Sequence, residues 1–231
     1  AWWPSERLSV HGYAEALKVY RQLVALRTEL GDRLLAQRPS AFIGIDAPDF
    51  NLGLEARLKA AGLKTIHFVC PSIWAWRGGR VHKLAASADH VLCLFPFEPA
   101  LLAKAGVPAS YVGHPLADAI PLDVPRAAAR AALGLGDGET VVAVMPGSRR
   151  GEIRHIAPDF LRAAQRLRTA RPGLRCLLPV APGLRAMVEA AVAEAGAQEA
   201  VELVDGRSHE VMAASDVVMV ASGTATLEAA L

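Results

Sequence analysis

Between residues 12 and 37, apolar side chains recur at Tyr13, Leu17, Tyr20, Val24 and Leu34, a mostly helical spacing that predicts one long amphipathic helix with Gly31 as a candidate break. The period then changes. Runs of four to seven apolar residues follow at "AFIGI", "KTIHFVC", "HVLCLF", "SYVG", "TVVAVMP", "RCLLPV", "VELV" and "VVMVA". Most are separated from the next by a helix-like segment such as "LGLEARLKAAG". Continuous rather than alternating apolarity predicts strands covered on both faces, and strands alternating with helices predict parallel sheets joined by right-handed crossovers. The expected fold class is α/β, with doubly wound domains. Two prolines, three glycines and a short Ala-rich helix interrupt the rhythm between 117 and 139, which sets the expected domains at 1–118 and 119–231.

Composition narrows the partners. The chain has 231 residues, 52% hydrophobic and 21% charged, enough to bury a substantial core. Lys plus Arg exceeds Asp plus Glu by only 25 to 23, so no overall positive field favours nucleic acid, and none is expected as a partner. Cys70, Cys93 and Cys176 are widely spaced in apolar runs, which suits reduced structural thiols and a cytoplasmic compartment better than a disulfide framework or a zinc site. No apolar run approaches the roughly 18 residues that span a bilayer, so membrane contact is expected to be peripheral. The chain opens without Met and closes on "TATLEAAL" inside an apparent helix, as the interior of a longer protein would.

In parallel sheets, ligands collect outside the carboxyl ends of the strands, and four strand-to-helix loops carry unusual chemistry there. "AFIGIDAPDFNL" delivers Asp46 to that edge, where it reads either as a general base or as a helix cap and loop brace; Asp49 lies closer to the helix start and reads as a cap. "VMPGSRRGEIRHI" sets Gly147, Ser148 and Arg149 ahead of a helix, either an anion site or a solvated turn. "MVASGTATLEAAL" repeats the arrangement with Ser222, Gly223, Thr224 and Glu228, either a nucleotide cradle or tight helix-on-strand packing. "CPSIWAWRGGRVHKL" sets Trp74 and Trp76 beside Arg77, Arg80 and Lys83, suited to a sugar, a phosphate or a membrane interface, or to plain packing. His114 in "VGHPLAD" falls beside the domain boundary and reads as a site residue or as a structural histidine.

Taken in order, "IGIDAPDFNL", "PSIWAWR", "FPFEP", "VGHPLAD", "MPGSRRGEI" and "ASGTATLEAAL" closely resemble the lipid-A-disaccharide synthases, inverting glycosyltransferases built from two Rossmann-like domains of the GT-B type. The resemblance implies transfer of 2,3-diacylglucosamine from UDP to the 6-hydroxyl of 2,3-diacylglucosamine 1-phosphate. The product is the β(1→6) disaccharide 1-phosphate of lipid A, made at the cytoplasmic face of the inner membrane of a Gram-negative bacterium. Asp46 matches the family's general base and Arg149 the arginine of its P-G-S-R motif, which binds the UDP diphosphate. By a looser likeness to other GT-B transferases, Ser222, Gly223 and Thr224 line the phosphates and Glu228 holds the ribose; Gly147 and Ser148, beside Arg149, are the remaining expected donor-site residues. The acceptor or membrane side falls to Trp74, Trp76, Arg77 and His114, with Trp2 and Trp3 as further candidate anchors. The resemblance implies no metal and no other cofactor, with peripheral membrane contact and a homodimer as the expected associations.

The family's first strand with its glycine-rich loop, and the segments beyond the "SGTATLE" helix, do not occur in these 231 residues. Another UDP-sugar GT-B enzyme, an epimerase or a peptidoglycan-type transferase, would share the "SG…E" cradle but not "DAPDF" together with "PSIWAWR". A non-catalytic nucleotide-sugar-binding protein is the remaining alternative.

Overall fold

The computed structural model describes residues 13–73 and 79–231, with side chains from Tyr20 onward. The chain divides into two compact units between His114 and Pro115. In the first, the elements are α1 (Tyr13–Gln37), β1 (Phe42–Ile45), α2 (Pro48–Ala60), β2 (Thr65–Phe68), α3 (Arg80–Ser87), β3 (His90–Cys93), α4 (Glu98–Ala103) and β4 (Ala109–Tyr111). The four strands pair in parallel in the order β1-β2-β3-β4. Helix α1 runs unbroken through Gly31. A Cβ there would lie 2.5 Å from Nη1 of Arg57 and 3.2 Å from Cδ1 of Leu54, so the glycine leaves room for these α2 side chains. Arg57 then donates to the Thr28 carbonyl at 3.1 Å and pairs with Asp32.

Leu34, Leu54, Leu58 and Leu63 form one part of this unit's core, and Leu52, Leu84, Val91, Leu102 and Val107 another. Each such side chain contributes about 1.5–3 kcal/mol on burial. Coverage of every strand on both faces does not hold for β1. Successive side chains point to opposite faces, so Gly44 is buried against α2 while Ile43 and Ile45 stay 53% and 65% exposed among the described residues. Beneath Gly44, the buried Glu55 and His67 share a hydrogen bond of 2.8 Å.

The second unit comprises α5 (Pro115–Ala119), α6 (Arg126–Ala132), β5 (Val141–Met145), α7 (Arg150–His155), α8 (Ala157–Ala170), β6 (Arg175–Val180), α9 (Arg185–Glu194), β7 (Glu202–Asp205), α10 (Ser208–Ala214), β8 (Val217–Val220) and α11 (Thr224–Ala230). Its strands are also all parallel, in the order β7-β6-β5-β8. Every residue of β5 is buried. Val142 and Val144 pack with Leu161, Cys176 and Val188 on one face, and Val141, Ala143 and Met145 pack with Ala129, Leu177 and Val211 on the other. Here the expectation of a doubly covered strand is met. The chain winds outward from β5 through β6 to β7, then returns to lay β8 on the opposite flank of β5. That reversal opens a crevice at the carboxyl ends of β5 and β8. Among the described residues, no helix is long and apolar enough to cross a membrane.

The two units share one device. Asp89, just ahead of β3, accepts the Thr65 N–H at the start of β2 (2.9 Å), and Asp216, just ahead of β8, accepts the Val141 N–H at the start of β5 (2.8 Å). Each aspartate also donates its own N–H to the carbonyl of that same residue at 2.8 Å, so one strand of each sheet has its first peptide group closed by an aspartate.

Candidate functional site

A cavity of about 360 Å³ lies at the strand-order reversal of the second unit, and Gly147, Ser148, Arg149, Ser222, Gly223, Thr224 and Glu228 all line it. The loops after β5 and β8 are thus brought together. Two further strand ends contribute: Pro179 and Val180 at the end of β6 with Ala181 and Pro182 just after it, and Gly206 with Ser208 after β7. Sequence reading passed over both, although "VDGRS" carries a local signal. Gly206 and Arg207 adopt φ of 60° and 54°, a sharp turn that starts α10 directly at the strand end.

Glu152 was also missed, and it changes the reading of the P-G-S-R loop. Its Oε2 accepts the N–H of Ser148 at 2.8 Å and of Arg149 at 3.0 Å, and its Oε1 accepts from Nη1 of Arg149 at 2.8 Å. The loop N–H groups expected to face an anion are therefore turned to an internal carboxylate. Helix α7, at six residues, adds little dipole beyond them. What the loop offers a ligand is the Arg149 side chain, 81% exposed. Gly147 is required for this packing. At φ 134° it occupies backbone that L side chains avoid, and a Cβ would fall 2.3 Å from Oε2 and 2.5 Å from Cβ of Glu152. Opposite, the Glu228 side chain is 21% exposed and its Oε2 lies 3.3 Å from Nε2 of His209 in a hydrogen bond.

In the first unit, Asp46 sits at the carboxyl end of β1 with φ 48°, and Ala47 follows with φ 43°. Ala47 is the N-cap residue of α2 and no side chain caps that helix, so the capping role open to Asp46 is not realised. Bracing falls instead to Asn51, whose Nδ2 donates to the carbonyls of Asp46 (2.8 Å) and Ile45 (3.1 Å). Asp49 is likewise no cap. Its carboxylate accepts from Nη2 of Arg80 at 2.7 and 2.9 Å, tying α2 to α3. His114 is half-buried just after β4. Trp74, Trp76 and Arg77, with Trp2 and Trp3, lie outside the described residues.

Cys70 and Cys93, distant in sequence, are neighbours in space, with the buried Glu98 close by. Burial first, and Glu98 second, push the Cys70 thiol up to about 12 and the Cys93 thiol to about 11. Both thiols are consequently protonated near neutral pH and poor nucleophiles.

Two all-parallel α/β units, with a cavity at the strand-order reversal of the second, define a protein of the two-domain GT-B class. The Staphylococcus aureus MnaA–UDP co-structure shares this fold at 13% identity and a TM-score of 0.64, over 93% of this chain and 60% of that one. The family model for lipid-A-disaccharide synthetase matches residues 1–231, and the chain belongs to that family. It is 59% identical over 231 residues to the lipid-A-disaccharide synthase of Verminephrobacter eiseniae, covering 100% of this chain and 59% of that protein. To that of Albidiferax ferrireducens it is 57% identical over 232 residues, covering 100% of this chain and 60% of the relative. The chain thus spans about three fifths of the length of these curated relatives.

Proposed function

We propose that the full-length protein is an inverting glycosyltransferase that joins UDP-2,3-diacylglucosamine to 2,3-diacylglucosamine 1-phosphate, releasing UDP and the β(1→6) disaccharide 1-phosphate. Asp46 takes the proton of the acceptor 6-hydroxyl as its oxygen bonds to the anomeric carbon. The bond from that carbon to the diphosphate breaks on the opposite face, and UDP leaves with the electron pair. Arg149 stabilises the charge that develops on the diphosphate. Ser222, Gly223 and Thr224 line the donor phosphates, and Glu228, steadied by His209, accepts from the ribose hydroxyls. Both substrates carry acyl chains, so the protein works as a peripheral protein at the cytoplasmic face of the inner membrane.

The observation that carries this reading is family membership over the whole chain, with an exposed carboxylate at the family's Asp position. Full-length protein incubated with the two diacylated substrates is expected to yield the disaccharide 1-phosphate by mass spectrometry. Intact substrates after prolonged incubation would reject the transferase reading.

A further inference from the structure

We infer that Asn51 is a positioning residue for Asp46. This rests on the reading of Asp46 as the base. The turn after β1 holds two consecutive non-glycine residues in the left-handed region, at φ 48° and 43°. Aspartate visits that region more readily than most residues, but alanine does so rarely, and such a turn persists only where its surroundings fix it.

Two contacts fix it. Asp46 donates its N–H to the Phe68 carbonyl at 2.9 Å, which extends the β1–β2 ladder by one residue. On the other side, the Asn51 amide donates to the Asp46 carbonyl at 2.8 Å and to the Ile45 carbonyl at 3.1 Å, using both hydrogens of one nitrogen. Asn51 is itself anchored by its backbone N–H to the Ala47 carbonyl at 2.9 Å. It comes this close because Gly44 has no side chain: a Cβ there would lie 3.2 Å from Cβ of Asn51 and 2.0 Å from Oε1 of Glu55.

These bonds are not a helix cap. A capping side chain accepts from helical N–H groups, whereas the Asn51 amide donates to carbonyls that precede the helix. Asp46 is therefore held by its peptide groups on both sides, while its carboxylate has no hydrogen-bond or salt-bridge partner among the described residues. Asn51 thus fixes the backbone from which that carboxylate projects.

The test compares Asn51→Ala, the isosteric Asn51→Asp and the control Asp46→Asn in the full-length protein. A carboxylate at 51 faces two carbonyls without a hydrogen to give, and regains one when protonated. We expect kcat to fall roughly 10- to 100-fold in both Asn51 variants, as for a small misplacement of a reacting group. KM for both substrates and the melting temperature should stay near wild type. The deficit of Asn51→Asp should shrink as pH falls from 8 to 6, measured as the ratio to wild type at each pH. Wild-type kcat in both Asn51 variants, with Asp46→Asn inactive, overturns the inference and leaves the base intact. A joint fall of kcat and melting temperature with no pH-dependent recovery also overturns it, making Asn51 a folding residue. Wild-type turnover in Asp46→Asn instead removes the base reading itself.

Discussion

The Glu152 carboxylate takes the Arg149 backbone N–H on one oxygen and the Arg149 guanidinium on the other, so a single acidic side chain holds the cavity's arginine at both ends. Burial alone would raise the Glu152 pKa. The N–H groups of Ser148 and Arg149, with the guanidinium, outweigh it and hold the carboxyl below the usual glutamate range. At neutral pH the group is an anion beside the place proposed for a diphosphate. A bound diphosphate must therefore reach Arg149 by its exposed face.

Loss of that arginine should be felt directly. For Arg149→Ala we expect UDP affinity to fall by roughly tenfold or more, the scale of one charge-assisted bond. For Glu152→Gln the fall should be smaller, because an amide oxygen can still accept the loop N–H groups while only the ion pair is lost. Calorimetric titration of both variants with UDP checks the order. Equal affinity in Arg149→Ala and wild type would remove Arg149 from donor binding.

Gly147→Ala tests the same loop sterically. The added methyl meets Glu152 at 2.3 Å and the residue sits at φ 134°, so loop and helix must shift. We expect a destabilisation of about 2 kcal/mol, measured by denaturant unfolding. An unchanged midpoint would mean that Glu152 is free to move aside.

Asp46→Asn keeps the size of the side chain and removes its basicity. Turnover is expected to drop roughly 100-fold or more, as for loss of a general base, while UDP affinity stays level. Steady-state kinetics beside UDP titration separates the two quantities.

Acid should loosen both units through the same device. The Asp216 carboxyl is held below the ordinary aspartate value, chiefly by the Val141 N–H and further by Arg126, and Asp89 is held down chiefly by the Thr65 N–H. A depressed folded-state pKa means the unfolded chain binds the proton first. The stabilisation is therefore complete above the unfolded value of about 4 and is lost as pH falls through the folded one. Melting temperature measured from pH 6 to pH 3 should fall, and Asp216→Asn should fall less steeply over that interval because one of the titrating groups is gone. A parallel slope in the variant would assign the acid loss elsewhere.

Local periodicity was enough to read the eight strands among the described residues and the long first helix, because a buried strand or an amphipathic helix writes its pattern into adjacent residues. Parallel pairing followed from the alternation with helices, and the loops bearing Asp46, Arg149 and Ser222 followed from where glycine, charge and strand ends coincide. Coverage was read less well. The run "AFIGI" looks like a doubly covered strand, yet among the described residues Gly44 of β1 is buried while Ile43 and Ile45 are exposed, and a run of residues carries no record of what packs on each face.

By itself, then, the sequence determined which segments are strands and helices, which family the chain belongs to, and which loops carry charge. Only the tertiary structure decided how those charges are spent: that Glu152 takes the loop N–H groups, that Asp49 serves Arg80, that Asn51 braces Asp46, and that Cys70 and Cys93 meet beside Glu98. Periodicity is a property of neighbours along the chain, whereas a hydrogen bond between a loop and the helix it enters depends on the path of the backbone through a turn. Two left-handed residues in "IDAPDF" and one positive-φ glycine in "MPGSRR" settle that path, and dihedral angles of that kind leave no period to read.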